Sequence, residues 1–164
     1  VSAWFSALLC AAAIGLSMVA GFFLTFSDFL MRSLRLAPVE AGVEVMQIIN
    51  REVFRSITLV LMWSTLGVSL FLAVAAVACK LPTTSLALVV TGTSVYFFGV
   101  LVVSYARNLP MNARLASMPA SDGATSTYWK HEYLERWVVW NSVRAVASGA
   151  AAACFLAALF LERS

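Results

Sequence analysis

Four long stretches of this chain carry almost no charge: roughly Trp4–Leu30, Ile57–Cys79, Ser85–Tyr105 and Val138–Leu161. Each can cross a hydrocarbon core of about 30 Å, which takes about 20 helical residues. The pattern predicts an all-α fold, a four-transmembrane-helix bundle forming a single integral membrane domain over residues 1–164. A soluble domain carries about 25% charged residues; this chain has 12%, with 62% hydrophobic residues and a mean hydropathy of +0.89. Four such helices in a soluble core would lack a polar outer face.

The first stretch has no basic segment before it and is longer than the apolar part of a signal peptide. It then runs into Ser27-Asp28-Phe29-Leu30-Met31-Arg32. These features predict an anchor rather than a cleaved leader. The chain opens at Val1, and an initiator or short leader is expected to be missing from it.

Charge sets the expected orientation. Arg32, Arg35, Arg51 and Arg55 fall in the first connection. Arg107, Arg114, Lys130 and Arg136 fall in or beside the third, and the short second connection offers Lys80. The positive-inside rule then predicts two cytoplasmic connections and both termini outside, in a membrane such as a bacterial inner membrane. The first connection is expected to be helical: Pro38 can start a helix, and Val39, Val43, Met46, Ile49 or Asn50, and Val53 recur at helical spacing. With no forced break before Cys79, the second helix is expected to run on continuously, about 60 Å long. The fourth is expected to begin after Ser121-Asp122-Gly123. Helices two and four would thus carry long cytoplasmic extensions. Small-residue ladders, Ala145-Gly149-Ala153 and Ala11-Gly15, are expected to mediate helix contacts.

Other chemistries are poorly supported. The net charge of +3 lies at helix ends, not in a basic stripe, so no nucleic-acid partner is expected. Cys10, Cys79 and Cys154 lack disulfide or zinc spacing. His131, near Glu132 and Glu135, is the only histidine, and the six methionines are scattered. No CxxCH, paired-histidine or glycine-rich nucleotide motif occurs. No metal site and no cofactor are predicted; haem and quinone stay open.

The informative polar residues gather where the four stretches share one membrane face. Asp28 ends the first stretch, and Gln47 and Asn50 precede the second. Asn108, Pro110 and Asn112 follow the third. In the fourth helix Trp129, Tyr133, Trp137, Asn141 and Arg144 share a face at spacings of four, four, four and three, with Trp140 beside them. An aromatic belt explains isolated tryptophans. An arginine one or two turns inside an apolar span needs a snorkelling route, a carboxylate or a ligand. Asp28 is the expected counter-charge, either as a structural pair or as a base beside a substrate. The asparagines would position ligand oxygens or join helices.

Taken together, several segments resemble the DUF1772, or anthrone oxygenase-like, membrane family. They are Gly21-Phe22-Phe23-Leu24-Thr25-Phe26-Ser27-Asp28-Phe29-Leu30-Met31, Met46-Gln47-Ile48-Ile49-Asn50 and Asn108-Leu109-Pro110-Met111-Asn112. The spaced Trp129, Tyr133, Trp137, Trp140-Asn141 and Val143-Arg144 complete the pattern, which spans almost the whole chain. The resemblance implies a small four-helix membrane protein. Some fungal members are similar to enzymes that oxidise an anthrone to an anthraquinone without an evident conventional cofactor, while many bacterial members have no established activity. Ser142 stands where the family commonly has a histidine after the Trp-Asn pair, which argues against a histidine-dependent mechanism.

One expected function is thus oxidation of an apolar polycyclic phenol or anthrone to a quinone. Asp28, Arg144, Asn141 and Tyr133 would be the catalytic candidates. Gln47, Asn50, Asn108, Asn112, Trp129, Trp137 and Trp140 would contact substrate, with Trp137 and Trp140 bounding its flat face. The alternative is a noncatalytic membrane subunit or a quinone/lipid-binding module; a small transporter component is the third reading. Expected partners are an apolar aromatic molecule, membrane lipids, and a second copy or another membrane protein.

Overall fold

A computed structural model describes residues 3–162; Val1, where the chain opens, lies outside them. Five helices account for the architecture: α1 (Ala3–Leu36), α2 (Val39–Glu52), α3 (Ile57–Ala78), α4 (Thr83–Ala116) and α5 (Gly123–Leu161). No strand occurs among the described residues. All but α2 are long and apolar enough to cross a membrane, and the chain is an integral membrane protein built as a four-helix bundle. Ile14, Met18, Val74, Val77, Phe98 and Val146 are exposed on its outer surface. That arrangement suits hydrocarbon, because every backbone polar group is satisfied within a helix.

α5 packs against both α1 and α4, and α3 closes the bundle against the same two helices. Phe5, Leu9, Leu16, Leu72, Val89, Tyr96, Ala151 and Phe155 fill the main core. A second core contains Met31, Val43, Met46, Leu115, Trp129 and Tyr133, where α2 lies against the far ends of α1, α4 and α5. At about 1.5 Å per residue, the 34 residues of α1 and of α4 reach about 51 Å and the 39 of α5 about 58 Å. These helices therefore overrun a hydrocarbon core of about 30 Å and carry the second core beyond it. The first and third apolar stretches accordingly continue further, to Leu36 and Ala116, than their charge-free portions suggested.

Local signals explain the ends. Ala37 is extended and Pro38 precedes the first turn of α2. The Asp122 carboxylate accepts from the Ala124 amide at 3.2 Å, capping α5 at its expected start.

The expected continuous helix from Val39 to Cys79 does not form. Val53–Arg55 tightens into a 3-10 turn, and Ser56 is extended at φ −89°, ψ 152°. The Ser56 hydroxyl donates to the Val53 carbonyl at 2.7 Å, offering the backbone a local alternative to helix. The extension of the second helix is therefore a separate element. α2 folds back so closely that a Cβ on Gly42 would lie 2.8 Å from the Leu34 carbonyl oxygen.

The small-residue contacts also differ from expectation. Gly149 and Ala153 are exposed, and nothing lies within 4 Å of a Cβ built on Gly149. The inward face of α5 is one step round, at Ala147, Ser148, Ala151 and Ala152. There Gly99 of α4 meets Ala147 with no room for a methyl group. Gly15 of α1 plays the same part against Thr65 of α3, while Ala11 is exposed.

Gly99→Val should therefore separate α4 from α5 and cost about 1–3 kcal/mol through overpacking. Gly149→Val should stay within about 0.5 kcal/mol of the parent. Thermal unfolding of both variants in detergent checks the contrast, and equal effects would contradict the packing described.

Candidate functional site

Three of the long helices are widened by π turns: Phe26–Leu30 in α1, Phe97–Val102 and Ser104–Asn108 in α4, and Trp129–Tyr133 in α5. Such turns carry an extra residue, displace side chains from their usual faces and recur at functional sites. The turn at Ser104–Asn108 lies just before Pro110, whose ring and missing N–H disturb a regular helix at that point.

The broken connection between α2 and α3, together with the turns in α1 and α4, surrounds a cavity of about 350 Å³. Small-molecule sites usually fall between about 300 and 1,000 Å³. Phe22, Phe23 and Phe26 of α1, Met46 of α2, and Met62 and Trp63 of α3 supply most of its apolar wall. Phe54, Trp63 and Tyr105 line the cavity and are also exposed, which sets its mouth between the start of α3 and the middle of α4.

The polar groups form a connected set. Asn141 is fully buried; its amide nitrogen donates to the Phe23 carbonyl at 2.6 Å and to the Ser27 hydroxyl at 2.7 Å. Its oxygen accepts from Arg144 Nη2 at 2.7 Å. Arg144 Nη1 donates to the Ser104 hydroxyl at 3.2 Å. The guanidinium lies over the Phe23 ring at 4.3 Å, with the Trp137 ring at 5.6 Å. Asn112 Oδ1 accepts from the Tyr133 hydroxyl at 2.8 Å and from the Trp137 indole at 2.9 Å. Asn50 donates to Tyr133 at 3.4 Å, and Asn108 donates to the Trp137 carbonyl at 3.3 Å. Two buried atoms on this wall, Arg144 Nε and Asn108 Oδ1, have no hydrogen-bond partner among the described residues.

The family model for anthrone oxygenase matches residues 50–154, which include Asn50, the α4 asparagines and the whole Trp137–Arg144 segment. The chain belongs to the anthrone oxygenase family. No curated protein and no solved structure gives a significant match.

In this anthrone oxygenase family member the expected pairing of Asp28 with Arg144 is not made. Asp28 pairs at 3.2 Å with Arg32, one turn further along the same helix, and both side chains are exposed. It lines a separate shallow groove with Ser27, Met31, Arg32, Arg35, Leu134 and Val138. The local partner prevails because four residues of helix already hold the two charges together, without desolvation. Four further candidates stand off the cavity wall. Gln47 Nε2 donates to the Leu115 and Met118 carbonyls, both at 2.9 Å, and so caps the end of α4. Trp129 is buried in the second core, stacked on Tyr133 at 5.3 Å. Trp140 faces another groove, under Arg107 at 4.7 Å. Tyr133 is behind the wall and reaches it through Asn50 and Asn112. Asn50, Asn108, Asn112, Trp137, Asn141 and Arg144 all line the cavity.

Ser104, Ser27 and the apolar wall were missed. Ser104, Asn108 and Asn112 repeat every four residues along one helix, and that spacing was a usable signal. Ser27 had none, because its role depends on how α1 meets α5.

Asn112→Leu should leave the Tyr133 hydroxyl and Trp137 indole unpaired and cost about 1–3 kcal/mol. Asp28→Asn should cost no more than about 1 kcal/mol, as an exposed ion pair does. Unfolding monitored by tryptophan fluorescence in detergent compares them; the reverse order would refute the assignment of these hydrogen bonds.

Proposed function

We propose that this family member oxidises an apolar polycyclic phenol or anthrone with molecular oxygen, yielding a quinone. The observation that carries the reading is the 350 Å³ aromatic cavity with a buried arginine and four asparagines on its wall beside Trp137. Family membership supports an oxidoreductase acting on an apolar aromatic compound.

The chemistry balances without another reductant. Loss of the acidic ring proton leaves an electron-rich anion, which combines with oxygen to form a carbon–oxygen bond. The resulting peroxide anion takes a proton back, and the hydroperoxide then loses water, leaving a carbonyl. All four electrons taken up by the oxygen molecule come from the substrate. Arg144 would stabilise the developing oxyanion, with Asn141 holding the guanidinium in place. Trp137 and Phe26, in tilted contact at 5.7 Å between centroids, would together wall one side of the flat ring. Tyr133 would act through Asn112, keeping Trp137 oriented. Asp28 is given no part in this scheme.

A second reading is a quinone- or lipid-binding module. It is favoured by one feature: no aspartate, glutamate, histidine or cysteine is among the residues lining the cavity. In either case the cytoplasmic side would hold the two basic connections, and the ligand would arrive from the bilayer through the Phe54–Tyr105 mouth.

Detergent-purified protein given a panel of anthrones should consume oxygen and form quinone in equal amounts. Arg144→Gln should lower turnover about 100-fold or more, the scale on which loss of an oxyanion donor acts. Asp28→Asn should turn over at nearly the parent rate. Saturable binding with no oxygen uptake across substrates and pH would replace the enzyme by the binding module.

A further inference from the structure

The cavity contains a cation whose counter-charge the wall does not supply. Arg144 is only 8% exposed, and its partners are neutral: the Asn141 amide oxygen, the Ser104 hydroxyl and two aromatic faces. Its Nε–H is buried with no hydrogen-bond partner among the described residues, so the protein's own groups accommodate the guanidinium incompletely. Buried polar groups are nearly always paired, and an exception on a cation beside a cavity calls for an explanation.

The surrounding elements offer no competing anion on the wall. α1 presents Phe22, Phe23 and Phe26, with Asp28 held by Arg32 in the separate groove. α2 and α3 present Met46, Asn50, Met62 and Trp63. From α4 comes the Tyr105 phenol, while Arg107 is turned onto Trp140. On α5 the Tyr133 phenol donates to Asn112; Glu132 pairs with Arg114 at the outer groove, where Arg136 also lies.

From this we propose that the cavity takes its ligand as an anion: an apolar fused-ring molecule bearing an ionised oxygen for the Arg144 guanidinium. The proposal rests on the aromatic-ligand reading above and adds the ionic form of the bound ligand. A buried cation without a partner is costly, and a ligand that brings the opposite charge removes that cost on binding. An ionised ring oxygen is the group that does so while leaving the remainder of the ligand apolar. The bound ligand therefore becomes a stronger acid than the free one. Affinity should be level above the ionisation of the free ligand, fall about tenfold for each pH unit from there down to the ionisation of the bound ligand, and level off again below it.

Alizarin is a suitable probe: it has fused rings and two adjacent hydroxyls, and its visible band shifts when it ionises. It should be titrated, under nitrogen, into the detergent-solubilised protein beside its dimethyl ether. The bound dye should show the ionised spectrum at a pH where the free dye in the same detergent is neutral, and the dimethyl ether should bind at least tenfold more weakly. Arg144→Gln should abolish the ionised spectrum and Arg144→Lys should restore part of it. A bound dye that stays neutral, equal affinity for the dimethyl ether, or no saturable binding would overturn the proposal on the unaltered protein alone. Survival of the shift in folded Arg144→Gln would do the same. Because none of these readouts needs turnover, ionised binding without oxygen uptake would remove the oxygenase reading and leave this one standing. Turnover with neutral binding would do the opposite.

Discussion

Asn141 joins the helices at the polar end of this bundle. Its amide nitrogen reaches the α1 backbone at Phe23 and the Ser27 hydroxyl, and its oxygen receives Arg144. A guanidinium inside an apolar span is tolerated only when its donors and its charge are accommodated. Here α4 and α5 furnish neutral acceptors, and α1 furnishes an aromatic face. The same three helices are thereby held in register around the cavity. Their packing elsewhere is close, with Gly99 admitting Ala147 and Gly15 admitting Thr65. The cavity beside Arg144 opens where backbone irregularities prevent equally close approach.

Those irregularities share an origin in competition between local and helical bonding. Ser56 bonds back to Val53 and the chain leaves the helix, so Phe54 lines the cavity mouth instead of continuing a straight face. Pro110 cannot donate, and the helix widens just before it. A regular helix through either point would present different side chains to the interior. The cavity is thus a consequence of two backbone departures, stabilised by the second core below them, in which Gln47 ties α2 to the end of α4.

Much of this was legible in the sequence, and the rest was hidden for definite reasons. Long uncharged stretches announce membrane helices because a bilayer penalises charge at every position along them. The grouping of Asn50, Asn108, Asn112, Asn141 and Arg144 followed from topology alone, since alternate helix ends must meet at one face. Pairings were less accessible. Asp28 had two arginines to choose from, and the one four residues away needs no tertiary structure to reach it. The Ala145-Gly149-Ala153 ladder has the right residues, but the face that α5 turns inward is fixed by Trp137, Asn141, Arg144 and Ser148, one step round. Ser56 is an ordinary residue in an apolar run, and propensity does not register a break that tertiary packing of α2 reinforces.

The wall chemistry narrows how such a site can handle a proton. General base catalysis requires an acceptor within hydrogen-bond reach of the proton it removes, and the lining residues offer only neutral amides, hydroxyls and phenols beside a cation. In that setting the arginine can act on the acid–base equilibrium of the ligand itself. On the proposal above it would make the anion the favoured bound form, so the proton would be lost to water before or during binding. A desolvated anion held against an aromatic wall is electron-rich and shielded from reprotonation, the condition under which direct reaction with oxygen competes best. On this view the carboxylate's place on the exposed side of α1 is consistent with the chemistry: a buried aspartate beside Arg144 would neutralise the cation and remove the site's preference for a charged ligand.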